Sequence, residues 1–231
     1  MALFHSPNMV TDQLLFSFDA ANPKSYPGSG VAWNNLTDGF DATLTNGPTY
    51  TTGADGYLSF DGSDDFAPIT ITGGSFSLTE ATFITWIRRN GNVYSYSGLL
   101  FNRGGSPSTQ ATGMNFYSTT HKVGYHWNDD AQSWTFSGGP FVPDQTWTMA
   151  AVSVSSSAAN LYACNSNGIA VGTKTLSHSS ASFSNIEIAR DSFGYSRVCK
   201  GDISIVQMYK KALTAAEIKQ NFDAFKGRYG Y

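Results

Sequence analysis

Short β-type runs recur along this chain, and a turn signal closes nearly every one. Leu14-Leu15-Phe16-Ser17-Phe18 stops at Asp19, residues 41–45 stop at Asn46-Gly47-Pro48, and residues 57–60 break at Asp61-Gly62. Further runs follow at 75–78, 82–87, 99–101, 114–117, 122–127, 146–154, 160–164, 186–189 and 201–209. The 82–87 run, Thr82-Phe83-Ile84-Thr85-Trp86-Ile87, has the β-branched and aromatic makeup that suits a pleated surface. Strands at such intervals, joined by polar turns, predict an all-β fold: a two-sheet antiparallel jelly-roll sandwich. Between 19 and 40, Pro23, Pro27 and several glycines predict a long ordered loop, with Asp19 capping its start.

No repeat of fixed period and no linker-like break divides the pattern. Residues 13–231 therefore read as one domain behind an N-terminal arm of residues 1–12, and 231 residues are within reach of a single all-β domain. Hydrophobic residues at 41% place the chain among globular proteins, while charged residues at 13% are about half the usual share. A net charge of −3 without a basic stripe argues against nucleic-acid binding. No apolar run is long enough for membrane insertion. The N-terminus lacks the basic-then-apolar layout of a secretory signal, so synthesis in the cytoplasm without a signal peptide is expected. In that setting Cys164 and Cys199 read as free thiols packed as small hydrophobes.

One helix is expected, over about 214–226. Thr214-Ala215-Ala216-Glu217 fits a capping box, and Ile218, Phe222 and Phe225 fall on one helical face. Gly227 is the expected stop. The tail Arg228-Tyr229-Gly230-Tyr231 has two readings, a frayed end or an insertion into a neighbouring subunit.

The same residues carry a family resemblance. The stretches are His5-Ser6-Pro7 with Val10-Thr11-Asp12, residues 19–30 with Trp33, residues 44–48 and 60–65, and Trp147 to Val152 with Leu161-Tyr162. Ile188-Ala189-Arg190-Asp191, Gly201-Asp202-Ile203, residues 209–221 and residues 227–230 complete them. Together they resemble the concanavalin A-like lectin/glucanase superfamily in its laminin-G-like jelly-roll branch. More narrowly, they resemble stand-alone virion proteins of tailed marine and cyanobacterial phages. One departure is Asn34-Asn35-Leu36-Thr37-Asp38-Gly39, where relatives carry an Asp-Leu-Ser-Gly type of turn. The resemblance implies a location in the virion, as capsid decoration, fibre component or tail adhesin. It implies as partners other virion proteins, further copies of the chain, and host surface glycans. Laminin-G-like domains also often hold Ca2+, for which Asp61, Asp64 and Asp65 in one turn offer hard oxygen ligands. The alternative for that cluster is ordinary turn chemistry.

Glucanases of this superfamily set two carboxylates on alternate residues of one strand. Here none of the three glutamates, Glu80, Glu187 and Glu217, has a carboxylate two residues away, and Asp191 lies four residues beyond Glu187. No catalytic residue is assigned. His5, His121, His126 and His178 are scattered and read as surface or turn residues. Saccharide sites favour aromatic platforms beside amides and carboxylates. Tyr94 and Tyr96 share one loop, and Trp127, Asn128, Asp129 and Trp134 share another. Either these rings form a sugar platform, or the tryptophans are buried in the core or a subunit interface. The resulting expectation is a non-enzymatic virion structural protein acting as a surface binding module. A carbohydrate-binding adhesin is the alternative, and glycoside hydrolysis is the least supported reading.

Overall fold

The computed structural model describes residues 7–103, 110–193 and 197–231. The chain passes through β1 (Leu14–Asp19), β2 (Ala32–Trp33), β3 (Phe40–Thr43), β4 (Thr49–Thr51), β5 (Tyr57–Asp61) and β6 (Ala67–Ile71). It continues through β7 (Phe76–Leu78), β8 (Ala81–Arg89), β9 (Gly98–Asn102), β10 (Thr112–Tyr117), β11 (Lys122–His126) and a one-turn helix α1 (Ala131–Trp134). Then come β12 (Thr148–Val154), β13 (Ala158–Asn165), β14 (Gly168–Thr175), β15 (Ala181–Phe183), β16 (Ile186–Ile188), β17 (Lys200–Tyr209) and α2 (Ala215–Phe225).

The strands form the expected sandwich of two antiparallel sheets. One has the order β14-β13-β12-β8-β17-β5-β4, with β1 also on β17; the other has β11-β10-β9-β16-β6-β3-β2. Period-two alternation decides which side chains meet between them. Phe83 and Ile87 of β8 and Val152 of β12 face Leu100, Phe116 and Ile188 of the second sheet in one core. A bulge in β17 between Ile203 and Ile205 shifts this phase, so that Ile203 and Val206 both face inward while Ile205 faces out. The β7–β15 ribbon adds to that core, with Phe76 stacked on Phe183 at 5.2 Å.

The outer face of the first sheet is covered by the C-terminus. Thr214 and Glu217 form both halves of the capping box. Ile218 and Phe222 then pack on Ile84 and Trp86, with Phe222 stacked 5.6 Å from the Trp86 ring. The helix does not stop at Gly227. A 3-10 turn, Lys226–Tyr229, carries it on to Gly230, whose φ of 80° ends it. The tail packs back on its own sheet. Tyr229 stacks on Trp86 at 4.2 Å and lies 4.9 Å from the Trp147 ring, and the Tyr231 hydroxyl donates to the Trp147 carbonyl. Residues 1–6, including His5, lie outside the described residues. The rest of the expected arm is tied to α2 and β17, because Val10 N–H donates to Asn221 Oδ1 at 2.7 Å and Tyr209 OH donates to the Val10 carbonyl at 2.9 Å.

The 19–40 stretch differs from a pure loop in carrying β2, which pairs Trp33 with Ala42. Asp19 caps it as expected, accepting from Ala21 N–H, and also binds Arg228 at 2.7 Å. Cys164 and Cys199 are free and buried, and burial pushes both thiols up to about 12. Among the described residues no helix is long and apolar enough to cross a membrane.

Candidate functional site

Among the described residues the one-turn α1 is the helix that lies against the outer face of the second sheet, at its β11 edge. Pairing register sets Glu187 of β16, Phe101 of β9, Gly113 of β10 and His126 of β11 in one row across that face. Gly113 is the gap in the row. A Cβ there would lie 2.5 Å from the Leu100 carbonyl oxygen and 3.2 Å from the Phe101 ring. With no side chain between them, the Phe101 and His126 rings come edge to face at 5.0 Å.

Walls rise around this floor from four separate segments. Tyr96, from the β8–β9 loop, stands 5.9 Å from His126 and 6.2 Å from Trp134. Trp134 is presented by α1, whose first turn is capped by the Asp130 carboxylate. Arg103 follows β9 and carries its guanidinium over Phe101 to Asp191. Arg197 lies between Tyr96 and Phe193, 5.2 and 4.4 Å from their rings, and donates to the same Asp191 carboxylate at 2.7 Å. Asp191 is fully buried and also accepts from the Phe193 N–H, so one carboxylate fixes both arginines and the Phe193 turn. Together Tyr96, Arg103, His126, Asp129, Trp134, Phe193 and Arg197 enclose a cleft of about 200 Å³.

Two of the cleft residues, Tyr96 and Asp129, have φ of 58° and 56°, where side chains with a Cβ are disfavoured. His126 is also unusual. It is buried, and neither ring nitrogen has a hydrogen-bond partner among the described residues, with the nearest carboxylate oxygen, Asp129 Oδ1, at 3.7 Å. Burial lowers its pKa from the ordinary value of 6.5, against the opposing pull of Asp129 and Asp191. The Asp129 carboxyl is held low by His126 and by the guanidiniums of Arg103 and Arg197.

The sequence-derived sugar residues divide in two. Tyr96, Asp129 and Trp134 meet in the cleft. Trp127 does not: it is 1% exposed, sits in the inter-sheet core, and donates its indole N–H to the Ser179 carbonyl at 2.6 Å. It continues the inward alternation of Val123 and Tyr125, which rules it out as a platform. Asn128 binds Ser179 and Ser180 through its side-chain amide. Tyr94 is 49% exposed and is not among the residues that line the cleft. Sequence reading missed Arg103, His126, Phe193 and Arg197. It also placed His126 and His178 at surfaces or turns, whereas both are buried.

The ligand oxygens of Asp61, Asp64 and Asp65 lie within 4.8 Å of one another. Two of them serve the turn, with Asp61 Oδ1 accepting from Ser63 N–H and Asp65 Oδ2 from Asp61 N–H. Asp65 is buried, and desolvation followed by its two acidic neighbours raises its carboxyl. Among the described residues no cationic side chain pairs with any of the three. An all-oxygen set of this kind offers the ligand type that a hard divalent cation takes. Glu187 and Asp191 each face arginine, Glu187 through a two-pronged pair with Arg190 at 2.7 Å.

The family model described as the concanavalin A-like lectin/glucanases superfamily matches residues 61–219, and the chain belongs to that superfamily. A search of curated protein sequences gives no significant match. Among solved structures, domain 4 of a GH43 extracellular arabinanase from Geobacillus stearothermophilus, in complex with arabinotriose, aligns with a TM-score of 0.63 at 15% identity. That alignment covers 92% of this chain and 98% of the domain. The Trypanosoma rangeli sialidase in complex with sialic acid aligns with a TM-score of 0.61 at 13% identity over 95% of this chain, which spans only 35% of the sialidase. The botulinum neurotoxin serotype G binding domain aligns with a TM-score of 0.60 at 8% identity, over 90% of this chain and 50% of that one. At these identities the likeness speaks for the fold: a lectin/glucanase-like β-sandwich.

Proposed function

We propose that the chain is a non-enzymatic carbohydrate-binding module whose site is the cleft between Tyr96, Trp134, Arg197 and Asp129. The observation that carries this reading is the half-buried Trp134 ring set beside Tyr96, the Asp129 carboxylate and two arginines held in place by Asp191. A sugar ring presents a C–H face and a rim of hydroxyls. An aromatic wall takes the first, and fixed polar groups orient the second. The arginines are pre-positioned, so little side-chain order has to be gained on binding.

Binding rather than hydrolysis is favoured because Asp129 is the one carboxylate among the described residues lining the cleft, while Glu187 and Asp191 beside it are engaged by arginine. The arabinanase domain was solved with arabinotriose and the sialidase with sialic acid, which supports sugar as the ligand class. The setting is a phage particle, where the module serves as decoration or fibre component facing host glycans; this rests on the resemblance of the end motifs alone. A glycan array probed with wild type and Trp134→Ala tests the site. The wild type selects a glycan and the variant loses it, whereas no hit across a broad array overturns the reading. Mass spectrometry of purified particles tests the setting, and absence of the chain from them removes it.

A further inference from the structure

Phe193 is the most exposed large hydrophobic residue described, at 66%. It is also shared by two cavities. On one side lies the 200 Å³ cleft. On the other lies a larger cavity of about 570 Å³, lined by Asn46, Ser63, Asp64, Arg190, Ser192 and Val198. Phe193 is thus a ridge between two hollows, held upright by its N–H on Asp191 and by the guanidiniums of Arg103 and Arg197 at 4.8 and 4.4 Å from its ring. A ridge of this kind is an apolar patch that a ligand crossing it would cover.

Size and charge narrow the ligand. Small-molecule sites usually run from about 300 to 1,000 Å³, so the cleft alone is undersized and the larger cavity falls within range. A ligand that fills both must be extended and must turn an apolar face to Phe193. The charged groups around the two hollows are three guanidiniums, Arg103, Arg190 and Arg197, against four carboxylates, Asp64, Asp129, Glu187 and Asp191. Each of these arginines is paired with Glu187 or Asp191. Asp64 and Asp129 face the hollows, and Asp61 and Asp65 stand behind Asp64. With no calcium on Asp61, Asp64 and Asp65, an acidic sugar would meet surplus negative charge, while a neutral sugar finds hydroxyl acceptors in Asp64 and Asp129 and donors in the arginines.

We infer that the two hollows are successive subsites of one groove, and that the groove takes a neutral oligosaccharide laid across Phe193. The inference rests on the carbohydrate reading above and adds to it the length and charge class of the ligand.

Titration calorimetry in calcium-free buffer tests it, with neutral arabino-, cello- and malto-oligosaccharides of one to six units and, as the acidic arm, sialyllactose and oligogalacturonides. Affinity for one neutral series rises tenfold or more between the shortest and longest members, and the acidic sugars bind at least tenfold more weakly. Ser192→Trp, which fills the larger cavity from an exposed position, removes the gain with length, as does Asp64→Ala. Affinity that is flat with length, a preference for the acidic arm, or a length dependence untouched by Ser192→Trp overturns the two-subsite groove. Binding of none of these sugars, neutral or acidic, overturns the carbohydrate reading itself.

Discussion

Asp191→Asn is the sharpest test of how the cleft is built. The side chain is fully buried and accepts from Arg103, Arg197 and the Phe193 amide. An amide of the same shape removes the charge and turns a donor toward groups that can only donate. Removing one member of a buried ion pair costs about 3–5 kcal/mol. Arg103 is 6% exposed but Arg197 is 21% exposed and partly solvated, so the lower end, about 3 kcal/mol, applies. For a domain of this size each kcal/mol moves the melting temperature by roughly 2–4 °C, which gives a fall of about 6–12 °C. Differential scanning calorimetry at pH 7 reads it directly. Asp12→Asn, which breaks one exposed contact of Lys211, is the control and changes stability by roughly 0–1 kcal/mol. A loss for Asp191→Asn no larger than that of the control refutes the idea that one carboxylate organises the site.

Three further outcomes are expected. Tyr229→Ala removes the ring stacked on Trp86 and tilted against Trp147 and costs about 3 kcal/mol in urea unfolding; a loss near zero contradicts a docked tail. Burial lowers the His126 pKa below 6.5, so the unfolded chain takes up the proton first and stability falls as pH drops below 6.5. Asp129 and Asp191 oppose that shift and Arg103 adds to it, while His178 and His121 are lowered too and contribute in the same direction. His126→Phe therefore flattens the melting profile between pH 7 and 5, and superimposable profiles for variant and wild type contradict the assignment. Calcium raises the melting temperature, by up to about 2.7 kcal/mol of stability at a hundredfold excess over Kd. EDTA and Asp65→Asn each cancel the gain, and no shift at about 10 mM calcium removes that site.

The sandwich was legible because alternation and turn chemistry are local. The capping box at Thr214 was legible for the same reason. The β17 bulge was not, since nothing around Ser204 marks the extra residue; only the packing of both sheet faces reveals it. β14 was missed because it is an edge strand with mostly exposed residues, Ile169 and Val171 among them. Trp127 and Trp134 flank the same turn and look alike in sequence. Continuing the phase of Val123 and Tyr125 would have sent Trp127 inward and, by the same count, His126 outward to the cleft. Arg103 and Asp191 are 88 residues apart and joined only by sheet register, so no local pattern announces them. The aromatic tail looked unpartnered because its partners, Trp86 and Trp147, sit far upstream on the outer face of the first sheet.

Where a sugar lands on this surface is the most direct question to put to the molecule. A crystal structure with the tightest-binding glycan from the array is expected to show a sugar ring against Trp134, with hydroxyls on Asp129 and Arg197. A glycan lodged on another face of the sandwich, with this cleft left to solvent, would contradict the account.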